Sequence, residues 1–152
     1  MSGEVRRIVV LLLLATCLGA SCEAKQLAVI VDKTNNVGGM SSADLVRLFK
    51  LDSRKWPDGK SVVLVLRDPS TPEMQTAIQK LYHMPLGEFK NLLAAHRNVV
   101  VIAKSEEDLL KSVESIPGAV GLVDVYSISS RVRELKVDGK LPLEPGYFLK
   151  GN

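Results

Sequence analysis

The sequence predicts a single α/β domain in three layers, with helices on both sides of a mostly parallel sheet and an antiparallel element near the C-terminus. Short apolar runs rich in β-branched residues alternate with amphipathic helical stretches along most of the chain. The apolar runs are continuous, which is typical of strands covered on both faces. Residues 132–137 instead alternate, and the turn signal Asp138-Gly139 follows them, so we expect a hairpin-like end.

The helix starts in this pattern are marked by capping pairs. Ser41 with Asp44, and Ser105 with Asp108, have the spacing at which a hydroxyl caps the first turn. Pro85 opens another helical stretch. The apolar runs that predict strands are Leu27–Val31, Val62–Leu66, Val99–Ala103 and Ala119–Val123. The first two, with the Ser41 helix between them, predict a βαβ unit of parallel strands with a right-handed crossover.

The first 24 residues have the three-part form of a secretory signal. Arg6 and Arg7 precede an apolar run, Ile8–Leu14, which is followed by small residues. This run is shorter than the roughly 20 residues of a spanning helix, so we expect a removed signal and no transmembrane segment after it. Cleavage after Ala24 leaves a domain of residues 25–152; alternatively, a loose lipobox makes Cys22 a lipidated first residue. Either way the protein is expected in the periplasm or secreted.

Composition narrows the class of function. Cys17 and Cys22 both lie in the predicted signal, so the mature domain has no cysteine pair and depends on its core for stability. The formal charge of +3 is mild, and no basic tract with interleaved aromatic residues suggests a nucleic-acid partner.

The sequence lacks the motifs of common enzymes and cofactor sites. His83 and His96 have no acidic or cysteine partner at metal-ligand spacing, so both are expected at helix ends and no metal is predicted. The chain has no G-x-S-x-G, phosphate-loop or G-x-G-x-x-G motif. We therefore expect a non-enzyme without a cofactor. Trp56, in the polar connection 50–61, is expected to clamp that connection onto the sheet, although it could also line a cleft.

The stretch 62–82 predicts an anion site. A buried strand ends at Arg67, and Ser70 and Thr71 follow at the start of an amphipathic helix, with Ser70 expected to cap through Glu73. Free backbone N–H groups and the positive end of the helix dipole would then lie beside a guanidinium and two hydroxyls. A tetrahedral oxyanion fits these donors.

A purely structural interpretation of the same residues stays open. Serine, threonine and aspartate are preferred at helix starts in proteins that bind nothing there, and this accounts for Ser70, Thr71 and Asp68 equally well. Arg67, at the end of a buried strand, needs an anionic partner. That partner is either a ligand or Asp68.

Several stretches together resemble the extracytoplasmic phosphate-binding proteins of bacterial phosphate ABC transporters, within the periplasmic binding protein superfamily. They are LAVIVDKTNN followed by SSADLVRLFK, then KWPDGKSVVLVLRD, RDPSTPEMQ and IPGAVGLVDVY. The resemblance implies a periplasmic-binding-protein-like domain in which Arg67, Asp68, Ser70 and Thr71 contact phosphate or a similar small oxyanion. It also implies a solute-binding role beside an ABC permease or another envelope protein.

The sequence departs from this family in two places. The family's glycine between serine and threonine is missing, so Ser70 and Thr71 are adjacent. The glycine- and serine-bearing phosphate loop of the family's other domain has no counterpart, so half of the cleft is expected to be absent. These departures keep an alternative open: a periplasmic interaction, scaffold or sensor module that kept the fold and lost ligand binding.

Overall fold

The computed structural model describes residues 26–151, so the predicted signal peptide lies outside the described residues. The strands of the central sheet are β1 (Leu27–Val31), β3 (Val63–Leu66), β4 (Val100–Ile102), β5 (Ala119–Asp124) and β6 (Arg133–Glu134). Their spatial order is β4-β3-β5-β1-β6. A small separate sheet joins β2 (Gly39–Met40) and β7 (Lys136–Val137) in parallel.

The central sheet is mostly parallel, as predicted. β3 pairs in parallel with both β4 and β5, whereas β1 pairs antiparallel with both β5 and β6. Only β1 therefore runs against the other strands of this sheet.

The predicted βαβ unit is wrong. β5 lies between β1 and β3, and β1 runs antiparallel to β5 through five residue pairs, from Leu27 with Asp124 to Val31 with Val120. Apart from Asp124 at the end of β5, both strands consist of apolar residues and glycine, and these residues are buried, so the two strands satisfy each other's backbone groups in the middle of the sheet. Consecutive strands are often but not always neighbours, and apolar periodicity carries no information about strand order.

The helices are α1 (Ser42–Phe49), α2 (Pro72–Ala77), α3 (Leu86–Ala95) and α4 (Glu106–Ser115). Alternate residues of β1 face opposite sides of the sheet, with Val29 in one core cluster and Ile30 in the other. The Val29 cluster includes the buried side chains of α1, α2 and α3, and the Ile30 cluster includes those of α4. The predicted three-layer α/β/α architecture is therefore present.

The predicted capping pairs of α1 and α4 are confirmed. Ser41 Oγ accepts from the Asp44 amide, and Ser105 Oγ accepts from the Asp108 amide, each at 3.1 Å. The helix after the anion-site loop is shorter than predicted: α2 ends at Ala77, and a π-helical turn spans Ile78–Tyr82.

The C-terminal turn is where it was predicted, but the strands beside it pair elsewhere. Asp138 and Gly139 have φ values of 52° and 75°, and Val137 and Lys140 bridge across them. Within the described chain, however, β6 pairs antiparallel with β1, and β7 pairs with β2. The antiparallel element is thus β6 added to the sheet rather than an independent hairpin, because each short strand needs a partner with a buried face.

Candidate functional site

Arg67 directly follows β3, at the carboxyl edge of the parallel strands. Its side chain is partly buried, and its Nε is fully buried without a hydrogen-bond partner among residues 26–151. An unpaired buried donor of this kind costs about 1–3 kcal/mol. Of the two partners that the sequence left open, Asp68 does not hydrogen-bond this nitrogen, so the described residues supply no acceptor for this donor.

The loop after Arg67 is organised around Asp68. Asp68 Oδ1 accepts from the Ser70 amide at 2.9 Å and from Ser70 Oγ at 2.6 Å. The main-chain oxygen of Asp68 accepts from the Thr71 amide at 3.0 Å and from Thr71 Oγ1 at 2.8 Å. Both hydroxyls that were predicted to contact an anion therefore donate to Asp68.

The cap of α2 is Thr71 and not Ser70. Thr71 Oγ1 accepts from the Met74 amide at 3.4 Å, and Pro72 occupies the first turn, where its missing N–H costs nothing. Ser70 is displaced from the cap because Asp68 captures both its amide and its hydroxyl in a local turn.

Asp68 is ionised at neutral pH. Hydrogen bonds from the Ser70 hydroxyl and then the Ser70 amide lower its pKa below the usual value, and the nearby Lys90 and Arg67 charges act in the same direction. The candidate site is therefore a mixed one, in which a guanidinium and a fixed carboxylate stand side by side.

The structure places Arg67, Asp68, Ser70 and Thr71 together on one loop, in which Asp68 and Ser70 are exposed and Arg67 and Thr71 are partly buried. Their predicted role as ligand contacts stays a prediction. His83 and His96 are the C-caps of the π-helical turn and of α3, at helix ends as expected. Within residues 26–151 no cluster of three or more His, Cys, Asp or Glu side chains is arranged for a metal, and no helix is long and apolar enough to cross a membrane.

Trp56 is the clamp that the sequence predicted. The side chain is buried, and its Nε1 donates to the main-chain oxygen of Gly118 at 2.9 Å, which fixes the 50–61 connection to the start of β5. Trp56 also borders a cleft of about 360 Å³ beside α1, with Met40, Arg47 and Lys55 among its walls. Apart from the tryptophan itself, no sequence pattern predicted this cleft, because its walls come from β2, α1 and the 50–61 connection.

A second concave surface lies at the sheet edge, where α3 meets β4. It has a volume of about 250 Å³. Its lining residues are Lys90, Leu93, Ala94, Arg97, Val100 and Ile102. Sequence reasoning missed it, because it depends on β4 being an edge strand.

Comparison with known proteins supports the fold. No family model and no curated protein matches the chain. Solved structures do match. An ABC-type phosphate transport receptor from Vibrio cholerae superimposes with a TM-score of 0.72 at 15% identity, over 85% of this chain and 55% of that one.

Two other solved structures with this fold are also of phosphate transport proteins. PstS from Borrelia burgdorferi gives a TM-score of 0.69 at 15% identity, over 86% of this chain and 56% of its own. A substrate-binding protein with bound phosphate from Clostridium perfringens gives 0.62 at 15% identity, over 77% and 46%. The chain therefore has the fold of phosphate ABC transporter substrate-binding proteins and spans about half the length of those it matches.

Proposed function

We propose that this chain binds phosphate, or a similar small oxyanion, at the loop from Arg67 to Thr71, as an exported solute-binding domain. The observation that carries the proposal is the buried Arg67 Nε, which has no hydrogen-bond partner among the described residues. An oxyanion would supply the missing acceptor and offset the cost of that donor. The fold shared with phosphate-binding proteins supports this choice of ligand.

Arg67 carries more of the proposed binding than the hydroxyls do. A guanidinium can offer two parallel N–H groups to two oxygens of one anion. The Ser70 and Thr71 hydroxyls each have a single proton, which is already donated to Asp68. To contact an anion as donors they must give up these bonds, so their net contribution is smaller.

Asp68 provides selectivity in this proposal. Its carboxylate is ionised, and it repels an anion that has no proton to share. Hydrogen phosphate carries an O–H that can donate to a carboxylate, whereas sulfate at neutral pH does not. Phosphate is therefore the expected ligand over sulfate, and Asp68→Asn should narrow the difference between them.

The proposed affinity is modest. Asp68 and Ser70 are exposed, so an anion held by this loop keeps part of its water, and each charged contact is weakened by the high local dielectric. We expect a dissociation constant nearer to millimolar than micromolar, about −4 to −6 kcal/mol of binding free energy. The proposed partner is an ABC permease or another envelope protein. The proposed route of export is the signal at residues 1–24, with cleavage after Ala24 or lipidation at Cys22. No catalysis is proposed.

Titration calorimetry in phosphate-free buffer tests the site. Wild-type protein should bind inorganic phosphate saturably and sulfate more weakly. Arg67→Ala should weaken phosphate binding at least about tenfold, as expected for loss of a charged hydrogen bond. Arg47→Ala, which removes an exposed arginine from α1, is the matched control and should bind like wild type.

Two results would overturn this proposal. One is the absence of heat up to about 10 mM phosphate, which corresponds to less than about 3 kcal/mol of binding. The other is binding that Arg67→Ala leaves unchanged. Either would favour the interaction, scaffold or sensor module that the sequence left open.

A further inference from the structure

The edge strand β4 has unpaired backbone groups that face away from the sheet. Leu64 donates to the Val99 oxygen and Ala103 donates to the Leu66 oxygen, both at 2.8 Å. Since the direction alternates along a strand, the N–H and C=O groups of Val100 and Ile102 point outward. β4 is the terminal strand in the sheet order, so within residues 26–151 no strand lies beyond it.

The side chains beside this edge form an apolar floor. Val100 and Ile102 lie on the same face of β4, and Leu93 and Ala94 of α3 complete the groove of about 250 Å³. Ile102 is 46% exposed, so much of its apolar side chain is accessible at the surface. The groove can thus accept an apolar side chain next to the open backbone.

Two positively charged residues line the groove. Lys90 lies in α3, and Arg97 lies just beyond the C-terminus of that helix. Neither is ion-paired among the described residues, and no acidic residue lines the groove. Lys90 is close enough to Asp68 for its charge to lower the pKa of that carboxyl, but no ion pair joins the two side chains.

We propose that this groove binds an extended acidic peptide segment of a partner protein as an additional strand on β4. The peptide backbone would pair with the outward groups of Val100 and Ile102, as in other cases of strand addition. An apolar side chain would enter between Leu93 and Ile102, and carboxylates on either side would meet Lys90 and Arg97. The proposal is independent of phosphate binding at Arg67.

Charge favours a partner over a second copy of this chain. If two copies paired through β4, the Lys90 and Arg97 of one groove would approach the same cations of the other. Like charges in such a contact are unfavourable. An acidic segment removes this repulsion and gives each cation a counter-charge.

A synthetic peptide tests the proposal directly. The probe is the blocked pentapeptide Asp-Thr-Val-Thr-Glu, and the control peptide is Lys-Thr-Val-Thr-Lys. NMR titration of the full mature protein should show saturable binding of the acidic probe only. Amide hydrogen exchange at Val100 and Ile102 should slow on binding, whereas exchange at Val101, already paired with β3, should change little.

Charge reversal provides the matched variants. Arg97→Glu should weaken the acidic probe about tenfold and should create binding of the lysine peptide, because reversal replaces an attraction by a repulsion. Lys33→Glu, an exposed charge outside the groove, should have no such effect. Arg67→Ala should also leave peptide binding unchanged, which separates this groove from the proposed phosphate site.

Three results would overturn the proposal. The first is no binding of the acidic probe at millimolar concentration, or equal binding of both peptides. The second is binding that leaves exchange at Val100 and Ile102 unaffected. The third is a dimer in sedimentation experiments that Ile102→Lys abolishes, since the edge would then belong to a second copy.

Discussion

Buried polar groups are hydrogen-bonded at the amino ends of the parallel strands, whereas one at the carboxyl ends is unpaired among the described residues. At the amino ends of β3 and β5, Gly118 and Asp32 form a closed network: the Gly118 amide donates to Asp32 Oδ2 at 3.3 Å, and the Gly118 oxygen accepts from Trp56 Nε1 and from the Val63 amide. At the carboxyl end, the buried Nε of Arg67 has no partner among the described residues. The polar groups at the first end are satisfied within the fold, whereas the Arg67 donor at the second end is not.

The reversed direction of β1 creates this difference. Because Val31 pairs with Val120, the end of β1 delivers Asp32 to the start of β5 and not to the edge that carries Arg67. Had β1 been parallel to β3, as predicted, the polar loop after it would have joined the anion-site loop. The antiparallel arrangement leaves Arg67 without that neighbour.

A substitution at Gly118, in the network at the amino ends of β3 and β5, should cause the largest loss of stability. Gly118 has φ +80°, and a Cβ there would lie 2.1 Å from the main-chain oxygen of Ser61. Gly118→Val should therefore cost more than about 4 kcal/mol, from backbone strain and lost hydrogen bonds together. Urea denaturation should show little folded protein. A folded Gly118→Val with near wild-type stability would contradict the network.

A milder change separates the hydrogen bond of Trp56 from its packing. Trp56→Phe keeps an apolar ring but removes the donor to Gly118, and we expect a loss of about 1–3 kcal/mol in the free energy of unfolding. Denaturation midpoints measure the loss. Phosphate affinity should remain at the wild-type value, because this change lies at the opposite end of the strands.

At the carboxyl ends of the strands, removing the polar group of Arg67 should instead raise the stability of the ligand-free protein. Arg67→Met keeps the aliphatic stem and removes the unpaired donor, so stability without phosphate should rise by up to about 1 kcal/mol. Thermal unfolding with and without phosphate measures both effects. Phosphate should raise the melting temperature of wild type and not that of the variant. A clear loss of stability in Arg67→Met would mean that the arginine is structural.

The smallest expected effect is a change in the pKa of Asp68 when Ser70 is replaced. The Ser70 hydroxyl is the main cause of its lowered pKa, so Ser70→Ala should raise that pKa toward the usual value. Because the pKa of Asp68 is lower in the folded state, its ionised carboxylate stabilises the fold at pH values above its unfolded-state pKa of about 4. This stabilisation is lost as the pH falls through the folded-state pKa. Carboxyl-carbon NMR titration measures the shift. An unchanged Asp68 pKa would show that Ser70 does not hold the loop.

The sequence predicted the local features of the site more reliably than their partners. Arg67 was placed at the end of a strand, and a hydroxyl was placed at the cap of the next helix. The choice of Ser70 as that cap was wrong, because Asp68 competes for Ser70 through a turn that capping patterns do not include. The sequence left the partner of Arg67 open between a ligand and Asp68. In the folded chain Asp68 accepts from Ser70, and Arg67 Nε has no partner among the described residues.

By itself, the sequence determined the α/β class, the helix starts at Ser41 and Ser105, and the strand that leads to Arg67, because these depend on residues close together in the chain. The tertiary structure decided the strand order, the reversed β1, the closed network at Gly118 and the open edge at β4. These depend on contacts between distant residues, such as Asp32 with Gly118, whose energies no local pattern records.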